Sequence, residues 1–212
     1  MPDAGRSPRT RKQKGRSHAK CDKVGGPASK TSRNKQRICQ VISSPSIAHF
    51  DAPLHLRGWR VRPDWIDYNG HMNVAWYVAM FDQSLARVLN MLGCGSETIA
   101  ATGGSCFTLE SHIRYLRELR EGAPVRIEFQ LLEADHKRLH YYQRMFHDGD
   151  EADGGGFLAA TCEDINIHVD MEARRSAPFP PAAAERVAAL LAAHAALETP
   201  ETRLRSLPPS KE

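Results

Sequence analysis

The 212-residue sequence lacks any apolar run that approaches the ~20 residues of a membrane-spanning helix. It also lacks an apolar secretory segment after its basic first residues. These absences exclude a membrane span and a secretion signal of the usual kind. They predict a cytoplasmic protein with no membrane partner.

Cysteine is scarce, with five residues that are scattered along the chain and never spaced as C-x-x-C. This pattern is typical of reduced thiols and not of a disulfide framework or a zinc site. His136 and His140 would lie about 13 Å apart along a strand, too far to share one ion. Because G-x-G-x-x-G and P-loop patterns are also missing, we expect neither a metal nor a cofactor.

Positive charge is concentrated at the start of the chain. Residues 1–37 contain twelve Lys/Arg and two Asp/Glu, whereas the remainder contains seventeen Lys/Arg and twenty-three Asp/Glu. The basic stretch has no aromatic residue and no periodicity, so we predict a disordered tail over residues 1–50. An arm that contacts nucleic acid or another anionic surface is one alternative, and an over-extended start of the sequence is another. Lys and Arg alone attract phosphate without specificity, so no specific nucleic-acid partner is expected.

The remaining pattern predicts one domain over residues 51–198. Residues 54–62 alternate between apolar and polar side chains, which indicates a strand. A helix follows, with Asn73 as its N-cap and Gly93 as its stop. Apolar residues cover much of its circumference, which favours burial. Its main stripe comprises Val78, Phe81, Leu85, Val88 or Leu89, and Leu92.

Four further strands and a last helix complete the predicted domain. The strands are expected at residues 106–116, 124–134, 138–146 and 157–169. The helix covers residues 181–198, with Val187, Leu190, Leu191 and Leu197 on one side, and a flexible tail follows over residues 199–212. This order favours an α+β hot-dog fold, in which an antiparallel five-stranded sheet wraps around a central helix.

Four segments of the sequence carry a family resemblance. "WIDYNGHMNVAWYVAMFD" (65–82) resembles the opening of hot-dog acyl-CoA thioesterases of the 4-hydroxybenzoyl-CoA thioesterase type. The later segments "FTLESHIRYLREL", "ADHKRLHYYQRM" and "AATCEDINIHVD" are similar to the betainyl-CoA thioesterases, which also occur fused to carnitine dehydrogenases. The resemblance extends from about residue 57 to about residue 180 and implies hydrolysis of an acyl-CoA thioester.

The resemblance places the catalytic acid at Asp67 and the oxyanion donor at the N–H of Val74. The physical chemistry agrees, because the first N–H groups of a helix have no internal partner and lie at the positive end of its dipole. Asn69, Gly70 and His71 would complete the catalytic turn. Without the resemblance, this segment would be interpreted as an ordinary Asx turn. Both direct attack by Asp67 and activation of water by Asp67 stay open.

The acyl group and the coenzyme each have candidate contacts. A quaternary ammonium group favours aromatic faces and a carboxylate, although buried aromatic residues often serve only the core. Glu110 pairs with Arg114 in an alternative interpretation. The candidates for substrate binding are Trp65, Tyr68, Trp76, Tyr77, Glu110 and Tyr115, and those for CoA phosphates are Arg114, Lys137 and Arg138.

A sheet of this kind leaves its edge strands open. Pairing of two copies would cover them, so we expect a homodimer or a dimer of dimers. Two alternatives to hydrolysis stay open, namely a non-catalytic acyl-CoA-binding hot-dog protein and a hot-dog dehydratase.

Overall fold

The computed structural model describes residues 49–149, 156–204 and 207. These residues form one antiparallel sheet and three α-helices. The strands are β1 (Leu54–Arg60), β2 (Gly104–Tyr115), β3 (Pro124–Ala134), β4 (Arg138–His147), β5 (Phe157–Asp170) and β6 (Arg175–Ser176). The helices are α1 (Val74–Leu92), α2 (Ile99–Thr102) and α3 (Pro181–His194), and none of them is long and apolar enough to cross a membrane.

The strand order is β1-β3-β4-β5-β2, with β6 paired to β5. This arrangement around α1 confirms the predicted hot-dog fold, and the two-residue β6 adds one strand to the predicted five. β2 pairs with β5 and not with β3, its successor in sequence. The connection over residues 116–123 therefore leads from one edge of the sheet to β3, beside the other edge, and β2 is an edge strand.

Helix α1 begins and ends where its capping residues predict. The Asn73 side chain accepts a hydrogen bond from the N–H of Ala75, and Gly93 adopts the left-handed conformation with a φ of 78°. The buried side of α1 is centred on Tyr77, Met80, Phe81, Ser84, Leu85, Val88, Leu89 and Leu92. Val78 is 46% exposed, so its assignment to the buried stripe is wrong, because Tyr77 and Phe81 occupy the inward side at that level.

Helix α3 ends at His194, four residues before the predicted end. The side chain of His194 accepts a hydrogen bond from the N–H of Leu131 at 2.9 Å, and its Nε2 lies 3.1 Å from the carbonyl oxygen of Asp51. These contacts fix the last turn against β3. Leu197 consequently lies beyond the helix.

Both ends of the domain extend the predicted core. Most of the predicted basic tail lies outside the described residues, but Phe50 is buried in the core. At the other end, the Glu163 carboxylate accepts hydrogen bonds from the N–H groups of Arg203 and Leu204, at 2.6 and 3.1 Å. Arg203 and Leu204, which belong to the predicted C-terminal tail, thus contact a buried side chain of the sheet.

Asp135 organises the turn between β3 and β4. One of its carboxylate oxygens accepts hydrogen bonds from the N–H groups of Lys137 and Arg138, at 2.9 and 2.7 Å, and the other accepts from Nε of Arg138 at 2.7 Å. Burial raises the pKa of Asp135, but these hydrogen bonds outweigh it and the pKa lies below its usual range. The ionised carboxylate is therefore the form that stabilises the turn.

We expect Asp135→Asn to lower the free energy of unfolding at pH 7 by about 1 kcal/mol, since it removes charge-assisted hydrogen bonds on a partly exposed turn. A lowered pKa in the folded state contributes stability above the unfolded pKa of about 4, and this contribution is lost as the pH falls through the folded pKa. The difference between wild type and variant should therefore shrink in urea unfolding curves recorded from pH 7 towards pH 3. Asp64→Asn is the control, because Asp64 is exposed. Equal stability of wild type and Asp135→Asn at pH 7 would contradict this role.

Candidate active site

Asp67 lies in a short turn that its own backbone and side chain close. Its N–H donates to the carbonyl oxygen of His71 at 3.1 Å, and its carbonyl oxygen accepts from the N–H of Gly70 at 3.0 Å. Its Oδ1 accepts from the N–H of Asn69 at 2.8 Å. Gly70 adopts a φ of 80°, a conformation that glycine reaches without strain. The Asx turn and the proposed catalytic turn are thus the same structure.

Asn73 connects this turn to the start of α1. Its side-chain oxygen caps the helix by accepting from the N–H of Ala75 at 3.0 Å, while its Nδ2 donates to Oδ2 of Asp67 at 3.3 Å. The N–H of Val74, the first of the helix, donates no hydrogen bond to another described residue. A carboxylate and an unpaired N–H at the positive end of a helix dipole therefore border one region.

This region is a cleft of about 500 Å³, here called the Asp67 cleft. Residues from the turn, the first helical turn of α1 and the end of β2 form its walls. They are Asp67, Tyr68, Asn69, His71, Met72, Asn73, Val74, Tyr77, Tyr115, Leu116, Arg117 and Glu118. The predicted residues Asp67, Tyr68, Asn69, His71, Val74, Tyr77 and Tyr115 are thus brought together.

Two tyrosines form a corner in the Asp67 cleft. The rings of Tyr77 and Tyr115 are nearly perpendicular, at 81°, with centroids 5.3 Å apart. The Tyr77 hydroxyl accepts a hydrogen bond from the N–H of Leu119 at 3.1 Å, which fixes the ring. Burial raises the pKa of both tyrosines, so both are neutral aromatic walls at physiological pH.

Glu118 adds a negative charge to the same cleft. A hydrogen bond from the Arg120 side chain lowers the pKa of Glu118, so the carboxylate is ionised at neutral pH. Its Oε2 lies 4.0 Å from Nε2 of His71. The cleft therefore contains two carboxylates, one at Asp67 and one opposite the turn.

The other predicted site residues lie outside the lining of this cleft. Trp65 and Trp76 stack on each other with centroids 4.8 Å apart, and Trp65 is buried in the core. Glu110 and Arg114 are exposed on β2, and no ion pair joins them in the described part of the chain. Lys137 and Arg138 belong to the Asp135 turn at the β3–β4 connection.

Of the five lining residues that were not predicted as site residues, Met72 and Asn73 precede α1, and the other three are Leu116, Arg117 and Glu118. They follow β2 directly and reach the cleft because β2 ends beside α1. Their position depends on the edge placement of β2, which local patterns do not encode. The available signal was the run of charged residues after an apolar strand end.

The arrangement is suited to attack on an activated carbonyl. The Val74 N–H would bind the carbonyl oxygen as it gains negative charge. Asp67, held from two sides by hydrogen bonds, would supply either the nucleophile or the base that activates water. Among the described residues, no group of three or more His, Cys, Asp or Glu side chains is placed to hold a metal ion.

Comparison with known proteins gives consistent matches. The family model of the thioesterase-like superfamily matches residues 61–187. A betainyl-CoA thioesterase of Pseudomonas aeruginosa is 40% identical over 151 residues, covering 70% of this chain and 92% of that protein. An L-carnitine dehydrogenase/betainyl-CoA thioesterase of Ruegeria pomeroyi is 41% identical over 138 residues, which are 65% of this chain and 27% of that protein. A Staphylococcus aureus protein solved in complex with CoA superposes with a TM-score of 0.65 at 25% identity, covering 77% of this chain and all of that one.

Proposed function

The chain belongs to the thioesterase-like superfamily and is an acyl-CoA thioester hydrolase, and we propose that Asp67 is its catalytic carboxylate and betainyl-CoA its substrate. The observation that carries the proposal is the Asp67 cleft, where this carboxylate and the unpaired Val74 N–H face the same space. The 40% identity to a betainyl-CoA thioesterase supports the acyl group. The CoA-bound neighbour supports the coenzyme.

The proposed reaction begins when the thioester carbonyl oxygen accepts the Val74 N–H. Asp67 then either attacks the carbonyl carbon, forming an acyl anhydride, or removes a proton from water that attacks it. In both routes the C–S bond breaks and the CoA thiolate takes up a proton. In the first route water then hydrolyses the anhydride and frees Asp67, whereas in the second route the attacking water has already supplied the oxygen of the acid. Both routes give the free acid and CoA. Asn69, Gly70 and His71 hold the turn that presents Asp67.

We expect Asp67→Asn to lower kcat for acyl-CoA hydrolysis by about 10³-fold, because an amide is neither an adequate nucleophile nor a base. The variant should keep the cleft, since an amide has nearly the shape of a carboxylate. Thiol release, followed with a chromogenic disulfide, measures the rate. Asp64→Asn, three residues earlier on the exposed surface, is the matched control and should leave kcat unchanged.

Hydrolysis by Asp67→Asn at the wild-type rate would remove Asp67 from the mechanism. A wild-type protein that binds acyl-CoA thioesters but cleaves none of a panel would instead favour a binding protein. Loss of water from a 3-hydroxyacyl-CoA would favour a dehydratase.

The corner of Tyr77 and Tyr115 supports a cationic acyl group. Perpendicular aromatic rings offer electron-rich faces to a trimethylammonium group. The Asp67 carboxylate lies in the same cleft and attracts a positive charge, whereas the charge of Glu118 is paired with Arg120. This cage replaces Trp65 and Trp76, which stack on each other, in the proposed set of substrate contacts.

We expect Tyr115→Leu to lower kcat/KM for betainyl-CoA about tenfold, the worth of a partly desolvated cation–π contact. The variant should leave kcat/KM for 3,3-dimethylbutanoyl-CoA, the neutral carbon isostere, nearly unchanged. The isostere serves as an internal control, because the ammonium group activates the thioester carbonyl equally in wild type and variant. An unchanged ratio of the two kcat/KM values in Tyr115→Leu would contradict the cage.

We propose further that two copies of the chain pair along β2. The exposed large hydrophobic side chains of the described residues all lie on the Asp67 turn, α1 and the β2 region, and none on β1 or α3. They are Tyr68, Val74, Val78, Met91, Phe107, Leu109, Tyr115 and Leu116. An open strand edge with an apolar surface favours a symmetric partner. Tyr115 and Leu116 also line the Asp67 cleft, so the partner would border the active site.

Leu109→Arg should convert a dimer to a monomer and lower kcat/KM, because it places an unpaired charge in the proposed interface. Sedimentation velocity measures the mass and the thiol assay measures the activity. Ala188→Arg, at an exposed position of α3, is the control and should leave both unchanged. A monomeric wild type would contradict the proposal.

We also propose that the protein acts in the cytoplasm. Cys94, Cys106 and Cys162 are free thiols in the structure. Unpaired cysteines suit a reducing compartment.

A further inference from the structure

Two of the described cysteines line one small cavity, at the end of α1 that lies away from Asp67. Cys94 follows Gly93, the C-cap of α1, and Cys106 lies in β2. Both residues border a cavity of about 180 Å³. Cys94 is completely buried, and Cys106 packs against the same core. Neither cysteine lines the Asp67 cleft, so the proposed hydrolysis does not use them.

The backbone holds both cysteines in place. The N–H of Cys94 donates to the carbonyl oxygen of Leu89 at 3.0 Å, in the turn that closes α1. Cys106 pairs with His168 in the antiparallel ladder of β2 and β5. The two residues therefore meet between the end of α1 and the sheet of one chain. Pairing of two copies along the β2 edge would use main-chain groups, so it leaves this interior contact intact.

The two thiols interact directly, and they differ in acidity. A hydrogen bond from the Cys106 thiol lowers the pKa of Cys94, and this effect outweighs that of burial. The same contact, together with burial, raises the pKa of Cys106. Cys94 is therefore the member of the pair that more readily forms a thiolate, the nucleophilic form of cysteine. Cys106 keeps its proton beside it.

Cys162, the third cysteine of the described residues, lies in a different environment. It is buried, and its Sγ donates to Oδ2 of Asp164 at 3.1 Å. Burial and the adjacent carboxylate raise its pKa, and it does not line the cavity. Among the three described cysteines, the Cys94–Cys106 pair thus alone combines a nucleophilic sulfur with a second thiol in contact.

The cavity gives a small polar oxidant a space beside the pair. Its volume of about 180 Å³ is several times that of one water molecule. Asp82, Thr108 and Asn166 contribute polar groups to its wall. The Tyr141 hydroxyl donates to Oδ1 of Asn166 at 3.0 Å, while the buried Nδ2 of Asn166 has no partner among the described residues. Hydrogen peroxide is small and accepts hydrogen bonds, so it suits this space.

We propose that Cys94 and Cys106 form a peroxide-reactive dithiol that closes reversibly into a disulfide between the end of α1 and β2. The Cys94 thiolate attacks one oxygen of hydrogen peroxide and the O–O bond breaks. This step gives a sulfenic acid at Cys94 and hydroxide, which takes up the proton that Cys94 released. The Cys106 sulfur then displaces the sulfenic hydroxyl group, which leaves as water with the Cys106 proton. Two thiols are oxidised to one disulfide, and one peroxide is reduced to two water molecules.

Peptide mass mapping after a pulse of hydrogen peroxide tests this assignment in the full-length protein, with thiols alkylated before digestion. Cys94 and Cys106 belong to one tryptic peptide, residues 88–114. This peptide should lose two hydrogen atoms and resist alkylation. Cleavage after Glu97 should leave the two cysteine-containing fragments joined until dithiothreitol is added. Cys162→Ser is the matched control and should form the disulfide as wild type does.

Two variants separate the roles of the thiols. Cys106→Ser should stop the reaction at a sulfenic acid that dimedone labels at Cys94. Cys94→Ser should leave Cys106 reduced and open to alkylation. Unfolding gives a second readout, since oxidised wild type should unfold at a higher urea concentration than reduced wild type. A disulfide closes the loop between the two residues and thereby restricts the unfolded chain.

Wild type in which Cys94 and Cys106 both stay reduced after the pulse would overturn the inference. A Cys94 linked to any other cysteine, or oxidised beyond the sulfenic acid with no link to Cys106, would also overturn it. These outcomes are read from wild type, so they stand even where a variant fails to fold. The test needs no acyl-CoA, and its result is therefore independent of the proposed hydrolysis.

Discussion

The side-chain amide of Asn73 is the contact on which the site depends. Its oxygen caps α1 at Ala75 and its nitrogen donates to Asp67. Because both atoms belong to one rigid planar group, the amide cannot move to improve one contact without weakening the other. The direction of α1 therefore fixes the position of the carboxylate. That direction is set in turn by the buried side of the helix, from Tyr77 to Leu92. The packing of the core is thus transmitted to the Asp67 carboxylate through the Asn73 side chain.

Much of the fold could be predicted because its elements have strong local signals. Asn73 and Gly93 mark the ends of α1, and alternating side chains mark β3 and β5 to within a residue or two. The order of strands in the sheet has no such signal. β2 pairs with β5, far along the chain, so the positions of Leu116 and Arg117 follow from topology and not from periodicity. The exposure of Val78 has a similar origin, since the apolar pattern of α1 does not indicate which of its two apolar sides faces the core.

The candidate site likewise has a part that could be predicted from the sequence and a part that could not. Asp67 and its turn could be predicted because they occupy consecutive positions whose chemistry is visible in the residue types. The surroundings of the basic residues could not, since charged residues at strand ends look alike before their neighbours are known. Lys137 and Arg138 meet Asp135 at their own turn. Arg117 meets an aromatic ring, which orients its guanidinium without neutralising it. The two arginines, Arg117 and Arg138, therefore differ in the partner that each one contacts.

The N–H groups of Arg203 and Leu204 donate hydrogen bonds to Glu163, so the folded domain extends at least to these residues. The superfamily match stops at residue 187, yet a buried carboxylate of an interior strand uses donors from well past that point. Glu163 also faces the buried imidazole of His140, with Nε2 and Oε1 2.9 Å apart. A chain that ended at residue 187 would lack the N–H donors of Arg203 and Leu204. Glu163 would then keep only the His140 imidazole as a partner, and the side of the sheet that residues 203 and 204 cover would be exposed to water. The folded unit is consequently longer than the superfamily match.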